Sequence, residues 1–81
     1  MTQPRPFTID VPQAAIDDLH ARIRATRWPE KETVDDWDQG IPLAVVQDFA
    51  TYWAKQYDWR KCEAALNAYP QFLIELEGVD I

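Results

Sequence analysis

Six prolines divide this 81-residue chain into short stretches and restrict the structure that each stretch can adopt. Pro12 and Pro42 each precede apolar residues at helical spacing, and proline suits the first position of a helix because its missing N–H would have no partner there. Pro29 and Pro70 end such stretches, since proline disfavours the helical conformation in the residue before it. The pattern therefore predicts short helices that are bounded by prolines.

Apolar spacing predicts where the first two helices lie. Ile16, Leu19 and Ile23 recur at helical spacing and predict a helix over residues 12–26. A second helix is predicted over residues 42–57 from an apolar stripe along one of its faces. The stripe consists of Leu43, Val46, Phe49, Ala50, Trp53 and Tyr57.

A third helix and a hairpin complete the prediction. Asp58 is a suitable N-cap for a helix over residues 59–68. Further along the chain the apolar period becomes two, and a turn at Glu77-Gly78 predicts a β-hairpin over residues 71–81. The residues before the first helix alternate in the same way and predict an extended arm. The predicted fold class is mostly α with a C-terminal β-hairpin.

An acidic loop is predicted over residues 29–41, and we expect the ring of Trp37 to hold it in place. Its aspartates invite comparison with a calcium-binding loop. When Gly40 takes the glycine position of an EF-hand, Trp37 falls where a ligand is required. When Asp36 is the first ligand, Gln47 falls where a bidentate glutamate belongs. Both registers fail, and no metal site is predicted.

The residue types exclude several catalytic classes. The chain has no serine, and its two glycines, Gly40 and Gly78, are too few for a nucleophile elbow or a phosphate-binding loop. Cysteine catalysis would require Cys62 and the single histidine, His20, to meet across two predicted helices. Cys62 is more simply interpreted as a small buried residue, and His20 as a partly exposed helix residue. No catalytic and no cofactor-binding residue is predicted.

The composition also limits partners and location. Fourteen acidic and eight basic residues give a net charge of −6, which repels nucleic acid. The longest apolar run, Ile41 to Val46, is far shorter than the roughly 20 residues that cross a bilayer, and we predict no secretory signal. A single cysteine permits no internal disulfide. We therefore expect a soluble protein of the reducing cytoplasm.

Several short strings, in a fixed order over nearly the whole chain, resemble the N-terminal region of the microsomal-type epoxide hydrolases of the α/β-hydrolase superfamily. The first are Pro6-Phe7, Ile9-Asp10-Val11-Pro12, Asp18-Leu19-His20-Ala21-Arg22-Ile23, Thr26-Arg27-Trp28-Pro29 and Trp37-Asp38-Gln39-Gly40-Ile41-Pro42-Leu43. The others are Tyr52-Trp53, Tyr57-Asp58-Trp59-Arg60, Glu63, Leu66-Asn67, Pro70-Gln71-Phe72 and Gly78-Val79-Asp80-Ile81. Each string alone is weak, but their order and spacing are specific.

The resemblance implies a structural part of a larger enzyme. In that family this region wraps around a catalytic α/β-hydrolase domain, and its last hairpin begins the large sheet. The implied domains are a helical N-terminal region at residues 1–70 and the truncated first hairpin of the sheet at residues 71–81. The parent protein would hydrolyse a small-molecule epoxide to a diol through an aspartate nucleophile. That aspartate, the histidine base and the oxyanion hole would all lie beyond this chain.

The candidate site residues are the four tryptophans Trp28, Trp37, Trp53 and Trp59. Each ring can bury on the order of 200 Å², whereas a chain of this length buries only about 60–65% of the surface that its unfolded form exposes. We therefore expect the rings to pack against the catalytic domain of the parent or against another copy of the chain. Lining of a substrate pocket is the alternative, with Trp37 its strongest candidate.

Two other functions stay open at this point. The chain could be a free-standing helical module that binds a partner protein through its aromatic stripe, or a family member without activity. An open reading frame that continues past Ile81 favours the epoxide hydrolase segment, whereas a stop codon there favours the module.

Overall fold

The computed structural model describes residues 3–81 and has three helices and four short strands over that range. In chain order they are β1 (Arg5–Phe7), α1 (Gln13–Arg24), α2 (Leu43–Lys55), α3 (Trp59–Asn67), β2 (Gln71–Leu73), β3 (Glu75–Leu76) and β4 (Val79–Asp80). The predicted fold class, mostly α with a C-terminal β-hairpin, is confirmed. Each predicted helix is present, and its ends lie within about two residues of the prediction.

The chain forms two compact units. The helical unit consists of Pro12–Tyr57 and contains α1 and α2. The second unit contains Asp58–Ile81 together with the N-terminal arm, which comprises residues 3–11. This second unit therefore holds α3 and the four strands of the described residues. The predicted domain boundary at residue 70 concerns a longer protein and stays a prediction.

Proline carbonyls begin both helices of the helical unit. The Pro12 carbonyl accepts hydrogen bonds from the N–H groups of Ala15 (3.0 Å) and Ile16 (3.3 Å). The Pro42 carbonyl accepts one from Val45 in the same way (3.0 Å). Proline starts a helix well because these bonds use its carbonyl and need no N–H from the ring. α1 contacts α2, and Ile16 is the one buried hydrophobic residue among residues 3–81.

The predicted hairpin is present but shorter than expected. β3 pairs antiparallel with β4, and Ile74 and Ile81 extend the ladder by exchanging backbone hydrogen bonds of 3.1 and 2.9 Å. Residues 71–73 form β2, which pairs antiparallel with β1 of the N-terminal arm. The prediction of one hairpin over residues 71–81 is therefore wrong for its first strand. Alternation indicates a strand but does not identify its partner, which here lies at the other end of the chain.

The hairpin turn falls at the predicted residues. Glu77 has a φ of 52° and Gly78 has a φ of 83°, so both adopt left-handed backbone conformations. A two-residue turn of this kind matches the right-handed twist of the flanking strands. Gly78 adopts its conformation at no steric cost because it has no Cβ.

Polar side chains hold the loop between α1 and α2, and the prediction that Trp37 anchors it is wrong. The Trp37 side chain is 62% exposed. The Thr33 N–H donates to Oε1 of Gln39 (2.9 Å), and the Leu43 N–H donates to Oε2 of Glu32 (2.8 Å). The Leu43 bond lowers the pKa of Glu32, because it stabilises the carboxylate at a helix N-terminus. Polar capping therefore replaces the apolar contact that the sequence suggested.

Candidate functional site

Four aromatic residues along one side of α2 and just beyond its end are partly exposed. Phe49, Tyr52, Trp53 and Tyr57 follow helical spacing along α2 and just beyond its end, and their exposed fractions are 71%, 51%, 46% and 39%. Together they line a cavity of about 360 Å³. We name these four residues the aromatic face. Soluble proteins rarely leave a contiguous apolar patch in water, so the aromatic face is a candidate interaction site.

The apolar stripe that predicted α2 is divided between two surfaces. Leu43 and Ala50 are half-buried and line cavities that Trp28 also lines. Phe49 and Trp53 belong to the exposed aromatic face instead. Tyr52 lies outside the predicted stripe, although its position three residues after Phe49 is the helical spacing that could have identified it.

The four tryptophans occupy separate surroundings. Trp28 lines a cavity of about 320 Å³ in the helical unit, and Trp53 lies on the aromatic face. Trp37 is exposed in the loop. Trp59 is half-buried on α3, and its Nε1 donates to Oε2 of Glu63 (3.2 Å). The structure therefore does not gather them into one site, and their packing against a catalytic domain stays a prediction.

Glu63 is a buried carboxylate that the sequence analysis mentioned only as part of the family resemblance. Its Oε2 accepts a hydrogen bond from the Val11 N–H of the N-terminal arm (2.8 Å). Its Oε1 accepts one from Nη1 of Arg60 (2.9 Å). The Val11 N–H, followed by Arg60, lowers the pKa of Glu63, although burial opposes this shift. The charged form of Glu63 thus holds the arm against α3.

Asn67 holds the same arm one helical turn further along α3. The Ile9 N–H donates to Oδ1 of Asn67 (2.9 Å), and Nδ2 of Asn67 donates to the Ile9 carbonyl (2.8 Å). The side-chain amide thereby pairs with Ile9 as the backbone of a neighbouring strand would. Glu63 and Asn67 are four residues apart and share one helix face. That spacing was the available signal, but nothing in it identified the arm as the partner.

Acid is expected to loosen the N-terminal arm, because the hydrogen bonds of Glu63 favour its carboxylate in the folded state. Since the folded pKa of Glu63 lies below its ordinary value, its contribution to stability is fully present above the ordinary pKa of about 4.3. The contribution is lost as the pH falls through the folded pKa. The measurement is amide exchange at Val11, corrected for the intrinsic exchange rate, at several pH values. Protection at Val11 should fall as the pH drops below about 4.

The matched control for this pH effect is the variant Glu63→Gln. Its neutral amide cannot titrate, so protection at Val11 should be weaker at neutral pH and should not change further in acid. An equal acid response in both proteins would show that another group controls the arm.

Other candidate chemistry is absent or dispersed. Cys62 on α3 and His20 on α1 are each half-buried and belong to different units. In the acidic loop, the Asp38 N–H donates to Oδ1 of Asp36 (3.0 Å). Within residues 3–81, no group of histidine, cysteine or acidic side chains is arranged to hold a metal ion. No helix in the described part of the chain is long and apolar enough to span a bilayer.

Comparison with protein families identifies the class to which this fold and surface belong. The family described as the epoxide hydrolase N terminus matches residues 4–81, and the chain belongs to that family. The chain therefore corresponds to the N-terminal region of epoxide hydrolases, which agrees with the resemblance found in its sequence.

Individual relatives are much longer than this chain. A protein of Stigmatella aurantiaca (strain DW4/3-1), assigned by name to the epoxide hydrolases, is 54% identical over 94% of this chain and 17% of its own length. Epoxide hydrolase 1 of Sus scrofa is 34% identical over 95% of this chain and 17% of its own length. The chain thus spans 17% of the length of either relative.

Solved structures contain a similar region. An enantioselective mutant of the Aspergillus niger epoxide hydrolase matches 96% of this chain with a TM-score of 0.88 and 32% identity, over 21% of that protein. The juvenile hormone epoxide hydrolase of Bombyx mori matches 99% of this chain and 19% of its own length, with a TM-score of 0.88. At 23% identity, this second match supports the fold alone.

Proposed function

We propose that this chain is the N-terminal structural segment of an epoxide hydrolase and that its aromatic face packs against the catalytic α/β-hydrolase domain. The enzyme would add water to a small-molecule epoxide to give a diol. The nucleophile would belong to the catalytic domain, and the segment would supply a docking surface and no catalytic residue. A cytoplasmic location is part of the proposal, because Cys62 is the only cysteine and no internal disulfide can form.

The exposed aromatic face is the observation that carries this proposal. Its four members are between 39% and 71% exposed, although three of them lie on a well-formed helix and Tyr57 lies just beyond its end. Full burial of a large apolar side chain contributes about 1.5–3 kcal/mol, so covering these four partly exposed rings would contribute about 3–6 kcal/mol. When the segment and the catalytic domain share one chain, docking is intramolecular and avoids the entropic cost of association. The relatives named as epoxide hydrolases are long enough to contain such a domain.

Activity of the full-length and isolated forms tests the proposed function. The coding sequence is expected to continue past Ile81 into a catalytic domain, and the full-length protein should convert a styrene-type epoxide into its diol. The isolated 81-residue chain should form diol no faster than a buffer blank. The measurement is chromatography of the diol at equal molar concentrations of the two proteins.

Two results would contradict this proposal. Diol formation by the isolated chain, retained when Cys62 and His20 are replaced by alanine, would show that the segment holds unrecognised catalytic groups. A stop codon directly after Ile81 would favour a free-standing interaction module, for which the aromatic face would bind a separate protein.

A further inference from the structure

Asp48 places a carboxylate at the edge of the aromatic face. It lines a cavity of about 290 Å³ together with Val45, Phe49 and Tyr52. Phe49 and Tyr52 also line the neighbouring cavity of about 360 Å³ on the aromatic face. A body that fills both of these cavities therefore also contacts Asp48.

Asp48 has no hydrogen-bond or ion-pair partner among residues 3–81. Its side chain is exposed, so water solvates the charge in this chain. Docking of an apolar surface would remove that water and leave the carboxylate unpaired, which is strongly unfavourable. A surface that fills the cavity lined by Asp48, Phe49 and Tyr52 therefore needs a donor for Asp48.

We propose that the docking partner places a basic side chain, preferably arginine, against Phe49 and Tyr52 with its charged group on the Asp48 carboxylate. This inference rests on the proposed function and specifies the chemistry of the surface that docks. A guanidinium suits the site because it bonds a carboxylate in bidentate fashion and also stacks on aromatic rings. The net charge of −6 on this chain makes a basic partner surface electrostatically complementary.

Variants of Asp48 in the full-length protein test the inference. Asp48→Asn removes the charge but keeps an acceptor oxygen, Asp48→Ala removes both, and Asp48→Lys reverses the charge. The control is Asp35→Asn, at an exposed loop residue with no hydrogen-bond or ion-pair partner among residues 3–81. Asparagine and aspartate have similar helix propensities, so helix stability itself should not change. The measurement is the thermal unfolding midpoint.

With a basic partner, Asp48→Asn should lower the midpoint by several degrees relative to Asp35→Asn, because the partner cation loses its counter-charge. Asp48→Lys should lower it further, and Asp48→Glu should restore part of the loss. If Asp48→Asn matches the control while Asp48→Ala is destabilising, the donor is neutral and the inference is overturned. A midpoint that Asp48→Asn raises, or that none of the substitutions changes, would also overturn it.

Substitution of the aromatic rings separates this inference from the proposed function. If replacing Phe49 and Trp53 destabilises the full-length protein but Asp48 variants behave like the control, the docking surface stands and the basic partner does not. If neither set has an effect, the proposed docking fails and the basic partner fails with it.

Discussion

Replacing Phe49 and Trp53 together with alanine is expected to lower the unfolding free energy of the full-length protein by about 5 kcal/mol or more. A buried phenylalanine or tryptophan typically costs about 3–5 kcal/mol when it is truncated to alanine, because transfer energy is lost and a cavity remains. Since folded proteins are stable by only about 5–15 kcal/mol, much of the double variant should be unfolded or insoluble. The measurement is urea unfolding, monitored by tryptophan fluorescence and by the epoxide turnover that remains.

The same two substitutions in the isolated chain are the matched control. There the Phe49 and Trp53 side chains are already 71% and 46% exposed, so truncation removes less buried surface than in the full-length protein. Alanine also has the higher helix propensity, which favours α2 slightly. The isolated chain should therefore lose only about 2 kcal/mol or less. Equal losses in the two contexts would mean that the rings stabilise α2 itself and do not dock.

The second large effect is expected for Asn67→Ala, which should release the N-terminal arm. The substitution leaves the N–H and the carbonyl of Ile9 without their side-chain partners. Each of these groups costs about 1–3 kcal/mol of stability if it stays out of water. Ile9 is half-buried, so water recovers part of this, and a net loss of about 2 kcal/mol is expected. The measurement is amide exchange at Ile9, which should accelerate roughly 30-fold.

Two further variants assign this effect to Asn67. Lys61→Ala changes an exposed residue on the same helix and should leave exchange at Ile9 unchanged. Asn67→Asp keeps the acceptor for the Ile9 N–H but removes the donor to its carbonyl, so its effect should be intermediate. Alanine favours helix more than asparagine does, so helical content in α3 should not fall. Loss of α3 helicity in Asn67→Ala would show that the substitution acts on the helix and not on the arm.

Local patterns in the sequence were sufficient to predict the helices. Pro12 and Pro42 mark two helix starts, and Asp58 caps the third by accepting a hydrogen bond from the Arg60 N–H (2.9 Å). The turn at Glu77 and Gly78 was predictable for the same reason. Each of these features depends on groups within four or five residues of one another, so the sequence carries the information directly.

The candidate site was predictable only in part. The resemblance identified the family, and the apolar stripe included Phe49 and Trp53 of the aromatic face. Spacing alone could not separate the stripe residues that line cavities with Trp28 from those that are exposed. The partners of Glu63 and Asn67 were also unpredictable, because each joins residues that are more than 50 positions apart in the chain.

The sequence by itself therefore determined the helices, the hairpin turn and the family, because short-range sterics and capping decide them. Only the tertiary structure decided that β2 pairs with the N-terminal arm and that Trp37 does not anchor its loop. It also decided that Asp48 borders an uncovered aromatic surface. Such contacts join residues that are far apart in the chain, and more than one segment could form each contact. The local pattern of the chain does not show which segment becomes the partner.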